Sequence, residues 1–168
     1  MEKGRQAMFQ VAVVTVSDSS YRGERIDKGG PAVTKAVIDA GFEVVSQILL
    51  PDEQAAIEAA LRELVGLKIP LILTTGGTGL SSRDVTPEAT RQVIEREVPG
   101  LAEEMRRQGL AKTRFALLSR AVAGTCESSL IINLPGNPEG AVESLQAIID
   151  TLTHALRVLT LPAYDHTK

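Results

Sequence analysis

The sequence predicts a single-domain α/β protein, a three-layer sandwich in which a mainly parallel sheet is flanked by helices. Three observations lead there. Short Val- and Ile-rich runs alternate along the chain with longer segments whose apolar residues recur at helical spacing, the pattern of a parallel sheet covered on both faces. The chain has 168 residues, within the span of about 100–200 residues usual for one domain. It is 43% hydrophobic but only 3% aromatic, with no Trp, so its core is aliphatic.

The elements follow in order. Phe9 to Val16 is short and Val-rich and reads as a buried strand. A polar loop runs from Ser17 to Gly30. Pro31 suits the first position of a helix, Val33, Ala36, Val37 and Ala40 mark its face, and Gly41 stops it. Glu43 to Leu50 is a second strand, broken by Pro51-Asp52. Ile57, Leu61, Leu64 and Val65 mark the next helix. Pro70 to Leu73 opens a third strand that runs into Gly76-Gly77-Thr78-Gly79. Thr86-Pro87-Glu88 starts a helix with a cap, a proline and an acid at the positive end of the dipole. After a break at Pro99-Gly100, helix continues to about Gly109. Leu130 to Leu134 is a fourth strand. Asn137 caps and Pro138 starts one last helix, with Val142, Leu145, Ile149, Leu152, Leu156 and Leu159 as its stripe. The polar ends are expected to be mobile.

Composition excludes several functions. A net charge of −3 argues against gripping nucleic acid, and the scarcity of aromatics argues against base stacking. No apolar run approaches the roughly 20 residues that cross a bilayer, and Met1 to Gln10 lacks the apolar stretch of a signal peptide. Cys126 is the single cysteine, so there is no internal disulfide and no zinc-spaced cluster; a cytoplasmic location is expected. His154 falls in the last helix and His166 in the tail. Neither follows a strand, which disfavours a Ser-His or Cys-His nucleophile.

In an open α/β sheet, ligands bind beyond the carboxyl ends of the strands. Four loops leave such ends: Ser17 to Gly30, Pro51-Asp52, Thr74 to Thr86, and Asn133 to Asn137. The glycines of Gly76-Gly77-Thr78-Gly79 permit positive φ, and successive amides there can form an anion-binding nest; the other reading is a plain tight turn. The loop is neither a Walker A motif nor a dinucleotide fingerprint. Asp52 and Asp84 each precede a helix and read as caps. They also read as two carboxylates beside an anion nest, an arrangement suited to Mg²⁺, which takes one or two carboxylates with phosphate oxygens and water.

Residues 74–90, TTGGTGLSSRDVTPEAT, closely resemble the signature of the Mog/MoaB family of molybdopterin-binding proteins, which extends to the gephyrin amino-terminal domain. Further matching pieces are Val14 to Asp18, Asp27 to Gly30, Leu50 to Glu53, Leu118 to Arg120 and Asn133 to Pro138. The resemblance implies one Rossmann-like molybdopterin-binding domain over 9–160, with terminal segments 1–8 and 161–168. It implies Mg²⁺-dependent transfer of AMP from ATP to molybdopterin, giving adenylyl-molybdopterin and pyrophosphate in molybdenum cofactor biosynthesis. It assigns Asp52 and Asp84 to catalysis and metal. It assigns Thr78, Ser119 and Asn133 to the pterin and dithiolene site, and Ser17, Asp18 and Gly76, Gly77 and Gly79 to the nucleotide and phosphate region. Pro135 and Gly136 join the same cofactor-binding set. Where some members carry a serine contact, this chain has Gly109. The implied partners are molybdopterin and ATP, copies of the chain in a homotrimer, and a molybdenum-insertion protein of the MoeA type, with no nucleic acid or membrane.

Three rival readings stand beside this one: a MoaB-type carrier that binds molybdopterin without adenylylation, a gephyrin-like trimeric scaffold, and a nucleotide hydrolase of the competence-damage family. The MoaB branch is expected to be less similar to this chain, and a carrier would be expected to lack one of the two acids.

Overall fold

A computed structural model of the protein describes residues 8–161; the terminal segments beyond them, including His166, lie outside the described residues. One six-stranded sheet runs through the centre in the order β2-β1-β3-β6-β5-β4. The strands are β1 (Gln10–Val16), β2 (Glu43–Leu50), β3 (Leu71–Thr75), β4 (Arg96–Glu97), β5 (Ala123–Cys126) and β6 (Ser129–Leu134). The first four in spatial order are parallel. β5 and β4 continue the sheet antiparallel.

Side chains alternate across a strand, and this builds two cores. Val11, Val13, Leu71, Leu73, Leu130 and Ile132 face α2 (Gly29–Asp39), α5 (Pro99–Gly109), α6 (Pro138–Gln146) and α7 (Ile149–Thr160). Ala12, Val14, Ile72 and Ile131 face α3 (Gln54–Gly66) and α4 (Thr86–Val93). The three layers are those expected, and the four apolar runs are the four parallel strands.

The differences are local. β4 and β5 were not expected. Ala-Gly-Thr-Cys carries no apolar run, and both residues of β4 are exposed. α2 begins at Gly29, ahead of Pro31. Asp27 Oδ1 accepts the Gly30 N–H at 3.0 Å. α4 begins at Thr86 itself, with Val85 as a cap that makes no side-chain bond; Thr86 is therefore the first helical residue and not the cap. Asn137 caps α6 as expected, its side chain accepting from Gly140 N–H at 2.9 Å. The final helix is two helices. The turn at Ala147 and Ile148 shifts the phase by one residue, so that Ile148 enters the core where Ile149 was expected and Ile149 is only half-buried.

Candidate active site

Strand order fixes where a ligand can enter. The chain leaves β1 toward β2 on one side and leaves β3 toward β4 at the opposite edge, so the loops after β1 and β3 part on opposite sides of a crevice, the switch point at which open α/β sheets bind ligands. Ser17 and Asp18 stand at one lip and the glycine loop at the other.

The glycines are required by space as well as by angle. Gly76 has φ +104°, and a Cβ on it would fall 2.2 Å from the Val16 carbonyl oxygen. Its N–H donates to Leu134 O at 3.1 Å, so it is wedged between the ends of β1 and β6. Gly77 has φ +68°. A Cβ there would meet Thr86 Oγ1 at 2.2 Å and Asp52 Oδ1 at 3.2 Å. Among the described residues, the N–H groups of Gly77, Thr78, Gly79 and Leu80 donate to no protein acceptor. Four successive amides without partners form a donor row suited to phosphate oxygens.

Two acids flank this row. Asp52 does not cap α3; Glu53 holds that position without a side-chain bond. Asp52 Oδ2 instead accepts the Asp18 N–H at 2.8 Å, and Asp18 Oδ1 accepts the Asp52 N–H at 2.9 Å. This exchange joins the loops after β1 and β2. Arg83 donates to both oxygens of Asp18, at 2.9 and 3.1 Å, and these bonds hold the Asp18 carboxyl below its ordinary value. Burial pushes Asp52 up, and the negative charges of Asp18 and Asp84 add to the effect. Asp84 Oδ2 accepts the Ser81 N–H at 2.9 Å and would lie 2.9 Å from a Cβ on Gly79.

Among the described residues no three His, Cys, Asp or Glu side chains gather as a metal cage. The donor set suits a cation that brings most of its own ligands. Asp52 and Asp84 flank one short loop and repel each other, and Mg²⁺ is satisfied by two carboxylates when phosphate oxygens and water complete its shell.

On its other side the loop walls an open cavity of about 1140 Å³. Gly77, Thr78, Gly79, Asp84, Ser119, Pro135 and Gly136 all line it. Ser17, Asp18, Asp52 and Gly76 stand outside the lining, around the crevice. The cavity's far wall comes from α5 and the 3-10 turn Arg114–Leu118, through Met105, Arg106 and Phe115.

A family model described as a probable molybdopterin binding domain matches residues 12–154. The chain belongs to this family. The molybdopterin adenylyltransferase of Escherichia coli (strain K12) is 43% identical over 146 residues, spanning 84% of this chain and 74% of its own. The crystal structure of a molybdopterin biosynthesis enzyme MoaB from Thermus thermophilus is 50% identical, covers 94% of this chain and 100% of its own, and superposes with a TM-score of 0.88. A structure of MogA is 37% identical over 90% of this chain and 99% of its own, with a TM-score of 0.86. Of these two structures, the one named MoaB is the more similar. The structure of MoaB from Pyrococcus furiosus, at 28% identity, is in turn less similar to this chain than MogA, so structures with the MoaB name lie on both sides of MogA.

In this molybdopterin-binding domain Asn133 stands apart from the other expected site residues. It is fully buried and absent from the cavity wall. Its Nδ2 donates to Thr74 Oγ1 at 3.0 Å and Thr90 Oγ1 at 2.9 Å, and its Oδ1 accepts from Val122 N–H at 3.1 Å. It ties β3, α4 and the start of β5 to β6. Asn133→Ala is expected to cost about 1–3 kcal/mol of stability by stranding those groups, with ligand affinity unchanged. Urea unfolding and a molybdopterin titration check this; an affinity loss at full stability would return Asn133 to the cavity wall.

Ser119 lines the cavity, but its Oγ accepts from Ala121 N–H at 3.3 Å. Ser17 Oγ accepts from Ser20 N–H at 3.3 Å and caps the short helix α1 (Asp18–Tyr21). Gly109 also lines the cavity, and a Cβ there would sit 2.9 Å from Ala116 Cβ. Close packing of α5 on the 3-10 turn thus leaves little room for a side chain at this position. Burial, with Glu95 and Glu127 nearby, pushes the Cys126 thiol up, away from a reactive thiolate. Sequence reasoning missed Met105, Arg106 and Phe115. Phe115 and Leu118 were the available signal: apolar residues in a polar stretch that stay exposed in the fold.

Proposed function

We propose that the protein is a molybdopterin adenylyltransferase of molybdenum cofactor biosynthesis, moving AMP from ATP to the terminal phosphate of molybdopterin. The observation that carries this reading is the unpartnered amide row Gly77 to Leu80, set between Asp52 and Asp84 where the crevice meets the cavity. The activity named for the E. coli relative supports it.

The chemistry asks little of the side chains. A phosphate oxygen of molybdopterin bonds to the α-phosphorus of ATP, and the bond to pyrophosphate breaks. The nucleophile is already anionic, so no general base is needed; positioning and charge neutralisation suffice. The amides of Gly77 to Leu80 hold phosphate oxygens. Ser17 and Asp18 border the nucleotide. Thr78 and Ser119 orient the pterin end, with Pro135 and Gly136 beneath. Asp52 and Asp84 would hold Mg²⁺, which supplies positive charge to the phosphates when bound.

The domain spans 9–160. The working protein is a cytoplasmic homotrimer that hands its product to an insertion protein of the MoeA type. No helix among the described residues is long and apolar enough to cross a membrane. Light scattering should give three times the chain mass; a monomer at all working concentrations rejects the trimer.

The second reading, a carrier without adenylylation, draws on the structure named MoaB. Both acids are present, which favours the transferase. Pyrophosphate release from ATP, with and without molybdopterin, decides. Release only with molybdopterin supports transfer. Binding of molybdopterin without release leaves the carrier, and release without molybdopterin points to a hydrolase.

A further inference from the structure

We propose that Arg120 is a positioning residue that aims the phosphate-binding amides and holds Asp84 in register with them. The inference rests on the proposed phosphate role of the glycine loop.

Arg120 makes three hydrogen bonds to one loop and a fourth contact to the helix that follows it. Its N–H donates to Thr78 O at 3.0 Å. Its Nε donates to Gly79 O at 2.7 Å and its Nη2 to Asp84 O at 2.7 Å. Its Nη1 pairs with Glu88 in the first turn of α4. In a trans peptide the carbonyl and the next N–H point in opposite directions across one rigid plane. Drawing the Thr78 and Gly79 carbonyls toward Arg120 therefore turns the N–H groups of Gly79 and Leu80 away from it. Those are two of the four amides without a protein acceptor.

The same guanidinium fixes the far end of the loop. Asp84 O is held by Nη2 while the Asp84 carboxylate is braced by Ser81 N–H. Glu88 anchors the guanidinium to α4, whose Ala89, Thr90 and Val93 are buried. The guanidinium thus ties the Gly79–Leu80 peptide, the acid and the helix into a unit, while the backbone N–H of Arg120 holds the Thr78–Gly79 peptide whatever side chain stands at this position. Arg120 itself does not line the cavity, so it acts through the loop. A lysine can keep the charge facing Glu88, but it lacks the planar fork that holds two carbonyls at once.

The test uses Arg120→Lys and Glu88→Gln, with inorganic pyrophosphate and Mg-ATP as probes in calorimetric titration. Loss of a group that orients binding partners commonly lowers affinity or activity by about ten- to a hundredfold. Arg120→Lys is expected to weaken pyrophosphate binding and raise the KM for ATP by that factor, with kcat reduced, molybdopterin affinity unchanged and the urea midpoint near wild type. Glu88→Gln should show a smaller loss in the same direction. Arg120→Ala should regain part of its pyrophosphate affinity when ethylguanidinium is added, a recovery that a merely structural role would not give. Wild-type affinity and KM in Arg120→Lys would overturn the proposal. So would losses that only track the unfolded fraction in every variant, with no recovery on adding ethylguanidinium. A wild-type protein that transfers no AMP, yet loses pyrophosphate affinity in Arg120→Lys, would defeat the transferase reading and leave this one standing.

Discussion

Asp84→Asn and Asp52→Asn are each expected to lower AMP transfer by about a hundred- to a thousandfold while the fold survives. A charge placed in a partly dry site is worth about 3–4 kcal/mol to a reaction that develops charge there. The swap removes that charge and little else. Asn keeps an oxygen able to accept the Ser81 N–H at position 84, or the Asp18 N–H at position 52. Neither acid serves as a helix cap, so no capping energy is at stake. Asp52 adds a stability signature. Its carboxyl titrates above the ordinary value because burial and two neighbouring carboxylates oppose its charge. A raised acid favours the fold below its unfolded pKa, and that contribution is lost as pH rises through the folded pKa. Asp52→Asn should therefore be no less stable than wild type at neutral pH, with a flatter stability profile from the ordinary carboxylate range upward. Pyrophosphate release and thermal melts at several pH values measure both. Transfer within about threefold of wild type in both variants, far short of the loss a charge in such a site predicts, would show that the carboxylates are not part of the chemistry.

Gly76→Ala is the second large effect. The new methyl would stand 2.2 Å from the Val16 carbonyl oxygen at a backbone angle of +104°. Neither partner is a flexible side-chain tip, so β1 and the loop must move apart. Strain at such a position costs about 1–3 kcal/mol before any clash is counted, and the displaced loop should lose ATP binding outright. Gly41→Ala is the matched comparison. Gly41 has φ +90° and nothing within 4 Å of its added Cβ, so it carries the angular strain without the collision. Melting curves of the two variants, with ATP titrations, separate the effects. Equal melting temperatures together with intact ATP binding in Gly76→Ala would mean that the loop tolerates what the geometry forbids.

The central parallel strands were legible because burial on both faces leaves a near-continuous apolar run, as in Leu130 to Ile132, and the edge strand β2 was legible from its Val, Ile and Leu content. β5 was not, because small residues at a sheet edge carry no periodic signal. The loops and both acids were legible from their places after strands. Their partners were not: the exchange between Asp18 and Asp52 joins residues 34 apart, and nothing local in Leu-Pro-Asp-Glu distinguishes it from a cap. Asn133 shows the converse limit. A position inside a recognisable motif suggested ligand contact, whereas its burial and three hydrogen bonds make it a core residue. Arg120 lay within the matching piece Leu118 to Arg120 but received no role, because its four acceptors are scattered from Thr78 to Glu88 and meet only in the fold.

The glycine loop is also a partition. Its residues Gly77 to Leu80 wall the cavity, while Asp18 and Asp52 stand on the crevice side. On the proposed reaction, molybdopterin comes from the cavity side and ATP from the crevice side, and the acceptor oxygen and α-phosphorus meet at the edge of this loop with no backbone between them. Approach and departure then lie along one line, and no side chain is interposed to carry the adenylyl group. A single displacement of that kind inverts the stereochemistry at phosphorus, so an α-thiophosphate ATP of one hand yields product of the other.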